Sequence, residues 1–330
     1  MESISKGAIW VWVEHQNGLE RPVVHELLSQ GRKIADSLQR PLWAVSIGNG
    51  TEGLAQRLQG HPDGILLLEG EAFERFVPEL YAAALSKQAA LDQPFLILSS
   101  CGLRAMDLMA RVSVRLRAAI ISEVTALWVE GGGTLKAVRP VHGGKAYMEM
   151  EARGEPPFIA AARPRAFSKE AGSKEAEVRR VQIQLEDPPR ASRWLESMER
   201  PSKGADLQEA SVVVSGGRGM GGAEAFGLLE ELAELLGGAV GASRAVVDSR
   251  WRPHDEQVGK SGKTVSPELY MAFGISGAVH HVMGMDTSKY VVAVNSDPNA
   301  LIFNHADYGV VEDVSLFIPA LLKELKAIKG

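Results

Sequence analysis

The chain has 330 residues, 45% hydrophobic and 23% charged, which is the balance of a globular protein too long for one ordinary core, so two domains are expected. A formal net charge of −5 argues against nucleic acid as the main ligand, because phosphate binding needs a basic surface. The single cysteine, Cys101, excludes disulfides within the chain and cysteine-ligated iron–sulfur clusters.

The N-terminus is neither a signal peptide nor an Arg/Ser-rich presequence, and apolar runs such as Ala8–Val13 and Gly64–Leu68 are far short of a bilayer span. A cytoplasmic protein without membrane insertion is the simple expectation. Ala8–Glu14, Leu42–Ile47, Gly64–Leu68 and Phe95–Ser99 read as buried strands, and Val23–Leu38, Glu52–Leu58, Phe73–Ala90 and Leu103–Leu116 as helices. This alternation predicts a parallel sheet with helices on both faces. From Val124 to Phe167, short β runs with Gly131-Gly132-Gly133 and Gly143-Gly144 as turns predict an antiparallel annex.

Residues 168–206 crowd Lys169, Glu170, Lys174, Glu175, Glu177, Arg179 and Arg180 into one stretch and are interrupted by Pro188-Pro189 and Pro201. They read as a solvated connection containing one strand, Val181–Leu185. A boundary near Ala205 gives domains 1–204 and 205–330. The second domain repeats the theme with strand Val212–Val214, helices Glu224–Leu236 and Gly277–Met285, strand Tyr290–Asn295 and a last helix around Val314–Ala327. Pro319 should kink that helix or delay its start. The fold class is α/β, with two Rossmann-like parallel-sheet domains.

Five glycine-bearing turns mark the second domain: Ser215-Gly216-Gly217-Arg218-Gly219, Gly241-Ala242-Ser243-Arg244, Gln257 to Lys263, Gly274 to His281, and Ala306-Asp307-Tyr308-Gly309. Glycine lets backbone approach a ligand, and the neighbouring Ser, Arg and His supply donors for phosphate and an electron-rich ring. Gly217-Arg218-Gly219-Met220-Gly221-Gly222 matches G-x-G-x-x-G between a strand and a helix. No acidic residue closes a second strand about 20 residues on, which weakens a nicotinamide reading but leaves a phosphate-binding turn at a helix N-terminus. Gly259-Lys260-Ser261-Gly262-Lys263-Thr264 fails as a P-loop, because that motif needs glycine where Gln257 stands. His280-His281 lacks partners at ligand spacing, so no metal is expected. Asn295, closing a strand before Asp297-Pro298, holds the crevice position where parallel sheets bind ligands. No Ser-His-Asp set and no acid pair suggests catalytic side chains.

The ordered set resembles the alpha subunit of electron transfer flavoprotein. The run Leu269 to Ala278, continuing through His281, Gly284 and Met285, is similar to that family's signature, and Val212 to Gly219, Gly241 to Ala245, Gln257-Val258-Gly259 and Ala306 to Gly309 agree with it. The first half agrees more loosely, through Ser122-Glu123-Val124-Thr125, Val138-Arg139-Pro140 with Gly143-Gly144, and Arg163 to Phe167. The resemblance implies a nucleotide-hydrolase-like N-terminal domain with its β annex, a doubly wound domain that holds FAD, and a beta subunit completing a heterodimer. It places Arg218, Ser243, the loop Val258, Gly259, Lys260 and Ser261, and Ser276, Gly277, Ala278 and Val279 along the diphosphate or ribityl chain. It sets Arg244 against the isoalloxazine, Ser261 facing N5, His281 beside the C2 carbonyl, and Asn295, Asp313 and Val314 toward adenosine. Ser261 stands where threonine is usual, leaving its rotamer less restrained. His280 and Lys260 each stand where glutamine is usual, and Asn299 to Phe303 lacks the expected proline.

The implied function is electron carriage rather than enzyme catalysis, from dehydrogenases such as acyl-CoA dehydrogenases in fatty acid β-oxidation to a membrane quinone reductase. An electron-bifurcating, NADH-oxidising complex is the alternative within the family. An NAD(P)-dependent oxidoreductase and a binding module without redox chemistry are the alternatives outside it.

Overall fold

The computed structural model describes residues 6–49, 51–142, 144–185, 192, 194–196 and 206–329. The chain divides into two compact units, Met1–Met198 and Glu199–Gly330. The expected boundary near Ala205 lies outside the described residues, as do Gly143, Pro188-Pro189 and Pro201.

In the first unit, seven strands form one parallel sheet in the order Glu177–Gln182, Gly64–Glu69, Leu42–Gly48, Ile9–Trp12, Leu96–Ser100, Phe158–Ala162, Ile120–Val124. Alternation along the central strand splits the core. Ile9 and Val11 pack with the helix Val23–Leu38, while Trp10 and Trp12 pack with Pro78–Asp92 and Leu103–Leu116. The annex is antiparallel as expected, built from Ala126–Glu130, Thr134–Val141 and Ala146–Glu151.

Three expectations change here. Phe158–Ala162, inside the annex span, belongs to the main sheet, where all five of its residues are buried. The charged stretch is not merely a connection: Glu177–Gln182 is an edge strand, starting four residues before the expected Val181. Its Arg180 reaches Glu69 at 2.6 Å, so charge on an exposed edge hides a strand from an apolarity reading. The helix expected from Phe73 begins at Pro78, after a separate 3₁₀ turn at Glu71–Phe73, because proline suits a first helical turn.

The second unit has five parallel strands in the order Ala239–Ala242, Val212–Gly216, Leu269–Phe273, Tyr290–Asn295, Tyr308–Val311. Numbered along the chain this is 2-1-3-4-5, a doubly wound order that reverses direction between Val212–Gly216 and Leu269–Phe273. Helices Phe226–Leu236 and Val314–Lys329 cover one face through Phe226, Leu229, Ile318 and Leu322. The other face carries Val258, Ile275, Val282, Met285 and Ile302. Pro319 does not delay the last helix, which starts at Val314 behind Asp313, whose carboxylate accepts the Ser315 N–H at 2.8 Å. The expected helix Gly277–Met285 shrinks to Val279–Val282. Gly309 sits within a strand, not a turn, and a side chain there would meet the Phe303 ring.

Candidate functional site

A cleft of about 750 Å³ opens at the carboxyl ends of four strands of the second unit. Its walls are the segments that follow Val212–Gly216, Ala239–Ala242, Leu269–Phe273 and Tyr290–Asn295, joined by the 257–261 loop. That is the crevice where doubly wound sheets bind ligands, at the point where strand order reverses. The loops are tied together by main-chain bonds. The Val258 N–H donates to the Ala242 carbonyl at 2.9 Å and the Lys260 N–H to the His280 carbonyl at 2.7 Å.

The structure brings together Arg218, Ser243, Arg244, Val258, Gly259, Ser261, Ser276, Ala278, His280, His281 and Asn295 around this cleft. Lys260, Gly277 and Val279 are their chain neighbours but do not line it. Asp313 caps the last helix and Val314 packs in its core, both outside the cleft walls. The Ala306–Gly309 segment contributes no lining residue.

Two N–H groups of the G-x-G-x-x-G turn bond to the neighbouring strand and loop. The Gly217 N–H is used by the Phe273 carbonyl at 2.8 Å and the Gly219 N–H by the Gly274 carbonyl at 3.0 Å. A side chain on Gly217 would run into the Gly274 carbonyl, so these glycines let two loops touch. A short 3₁₀ turn, Arg218–Met220, follows the strand directly, and the next α-helix starts at Phe226. The Gly217 and Gly219 N–H groups are therefore engaged by the neighbouring loop, while Arg218 itself lines the cleft.

Side-chain partners shape the rest. Arg244 is mostly exposed and pairs with Asp248 at 3.5 Å, one helical turn on. The Asn295 amide donates to the Ile275 carbonyl at 2.9 Å, and its oxygen accepts the Asp297 N–H at 3.0 Å, holding the fourth loop. The buried Gln257 donates from Nε2 to Ser261 Oγ at 3.0 Å. Sequence reasoning gave no role to Gln257 or Asp248, though Asp248 sits at i+4 from an arginine, a spacing that could have revealed it.

His281 is 6% exposed, and its Nε2 lies 2.9 Å from the Tyr270 hydroxyl. Burial lowers its pKa from 6.5 to about 4, so the ring is neutral at pH 7; the Val258 main chain opposes the shift. Its Nδ1 is buried with no well-formed hydrogen bond. With Arg218, Arg244 and the hydroxyl-bearing Ser243, Ser261 and Ser276, the walls are rich in donors. Ile275, Ala278, Ala300 and Leu301 add apolar surface. Such walls fit a phosphate-bearing cofactor with a flat, carbonyl-bearing ring. Fold and donor set together define a dinucleotide-cofactor domain.

Comparison with known proteins gives the family. Residues 206–286 match the electron transfer flavoprotein FAD-binding domain, and residues 9–186 match the electron transfer flavoprotein domain. The chain is 35% identical over 324 residues to electron transfer flavoprotein subunit alpha of Thermoanaerobacterium thermosaccharolyticum, covering 97% of this chain and 98% of that one. It is 34% identical over 322 residues to Protein FixB of Clostridium saccharobutylicum, covering 97% and 96% respectively. It is 33% identical over 318 residues to electron transfer flavoprotein subunit alpha of Bacillus subtilis, covering 96% of each. The chain belongs to the electron transfer flavoprotein alpha-subunit family, and its cofactor is FAD. Among the described residues, no helix is long and apolar enough to cross a membrane.

Proposed function

We propose that this chain is the FAD-holding half of a heterodimeric electron carrier. With a beta subunit it takes electrons from dehydrogenases such as acyl-CoA dehydrogenases and passes them to a membrane quinone reductase. The observation that supports this reading is the donor-rich cleft at the strand-order reversal. Bound FAD supplies one- and two-electron redox chemistry, while the protein sets potential and exposure.

In this reading Arg218, Ser243 and the 258–261 and 276–279 segments hold the diphosphate and ribityl chain, and Asn295 lies toward adenosine. Arg244 faces the ring with a permanent positive charge. Ser261 donates toward N5, and the neutral His281 contributes a hydrogen bond rather than a charge, because burial keeps it unprotonated. No side chain forms a covalent bond to substrate.

The test is co-expression with the neighbouring reading frame, visible spectroscopy and nucleotide extraction. One FAD plus AMP per heterodimer, reduced through an acyl-CoA dehydrogenase, supports the carrier. Two FAD per heterodimer and reduction by NADH transfer the reading to the bifurcating alternative. A colourless protein that binds nicotinamide overturns both.

A further inference from the structure

The short helix Arg244–Asp248 carries a charged residue at each end, and both of them line the cleft. Arg244 Nε lies 3.5 Å from Asp248 Oδ2, with the side chains 67% and 65% exposed. Neither has another side-chain partner among the described residues. The backbone beneath them is held in place. Val246, between the two, is fully buried, and the Ser243 carbonyl accepts the Val246 and Val247 N–H groups at 3.0 and 3.2 Å. Ser249 Oγ closes the turn on the Ala245 carbonyl at 2.8 Å. Asp297, the other carboxylate of the cleft walls, sits on the loop after Tyr290–Asn295 and accepts the Asn299 N–H at 2.9 Å. Asp248 is the cleft-wall acid within reach of Arg244.

Helix stability does not account for this pair. Acids stabilise a helix near its N-terminus and bases near its C-terminus, and an acid four residues before a base pairs better than the reverse. Here the arginine comes first and the aspartate last. An exposed ion pair also contributes little to folding. What the two residues share is the cleft. We propose that Asp248 is a positioning residue: it holds the Arg244 guanidinium against its own helix and so divides that positive charge between itself and the cofactor. This rests on the FAD reading above, which sets Arg244 at the ring. An electron added to the flavin brings negative charge into the cleft, and Arg244 favours that step. Asp248 competes for the same guanidinium and lowers the first reduction potential below what Arg244 alone would give. Because both side chains are mostly exposed, water and salt screen the carboxylate's direct field, and its effect runs through where it holds Arg244.

The experiment is potentiometry of the FAD-loaded protein, co-expressed with its beta subunit, for wild type, Asp248→Asn, Arg244→Ala and the double variant. Asp248→Asn keeps the size of the side chain and removes its charge. It should raise the equilibrium constant of the first one-electron step by about 2- to 5-fold, the weight of an exposed ion pair, or roughly 20–40 mV at 59 mV per tenfold. In the Arg244→Ala background the same substitution should produce no shift. Asp248→Glu, which keeps the charge, should stay near the wild-type potential. Thermal unfolding should hardly change in Asp248→Asn, so that a shifted potential is not a folding defect. An unchanged or lowered potential in Asp248→Asn overturns the proposal. So does a shift of equal size with and without Arg244, because the carboxylate would then act directly. A wild type that takes up no flavin sinks the cofactor reading itself, an outcome visible before any variant is made.

Discussion

Gln257 and Ser261, four residues apart on one loop, are joined by a 3.0 Å hydrogen bond in which the buried amide donates to the serine oxygen. With its oxygen engaged by Gln257, Ser261 keeps its own proton free to donate into the cleft. The bond also restrains the rotamer that a threonine methyl would otherwise restrain. Gln257→Ala should therefore act like a weakened Ser261→Ala, each costing about 0.5–1.5 kcal/mol in FAD binding. A double-mutant cycle by isothermal titration should show strong non-additivity. Additive losses would mean that Gln257 does not work through Ser261.

Arg244 is two-thirds exposed at its side chain, and its pairing with Asp248 contributes little to folding. Its expected effect is on the cofactor. A charge-assisted hydrogen bond of about 1.5–3 kcal/mol corresponds to roughly 60–130 mV for one electron, so Arg244→Ala should lower the first reduction potential by about that amount. Thermal stability of the cofactor-free chain should hardly change. Unaltered potentiometry would remove Arg244 from the ring.

His281 gives a pH dependence with a defined sign. The folded chain keeps it neutral to about pH 4, whereas the unfolded chain protonates it near 6.5. Its contribution to stability is thus fully present above pH 6.5 and is lost as pH falls toward 4, by at most about 3 kcal/mol. Burial lowers the pKa of His15 and His25 too, so the whole chain carries the same trend. The informative measurement is the difference between wild type and His281→Gln in urea unfolding across pH 4–7. The variant's slope should be shallower, and parallel slopes would contradict the burial argument.

Gly259 has φ +138°, and a side chain there would lie 2.7 Å from the His280 carbonyl oxygen, the acceptor of the Lys260 N–H. Gly259→Ala combines backbone strain with a broken loop contact. It should destabilise the second unit by about 1–3 kcal/mol and weaken FAD binding with it. Differential scanning calorimetry would show the loss, and an unchanged transition would mean the loop can relax.

Most of the architecture was legible in the sequence because buried parallel strands are apolar runs separated by amphipathic helices, as Val23–Leu38 and Leu103–Leu116 show to the residue. Glu177–Gln182 was mistaken for connection because an edge strand faces water and carries charge. Ala239–Ala242 and Tyr308–Val311 were passed over because each contains a glycine, Gly241 or Gly309, that reads as a turn. The glycine turns and the residues beside them could be named from the sequence, since chain order alone sets them in a series.

What sequence could not decide is which atoms face which. Gly217 and Gly219 match a phosphate motif, yet their N–H groups are spent on Phe273 and Gly274 because two strands offset by 57 residues pair side by side. His281 meets Tyr270, 11 residues away, only because the loop after Leu269–Phe273 folds the Val279–Val282 turn back onto the sheet. Local composition fixes the elements through periodicity and turn chemistry. Hydrogen-bond direction, protonation and access depend on contacts between residues far apart in the chain, and those exist only once the sheet has formed.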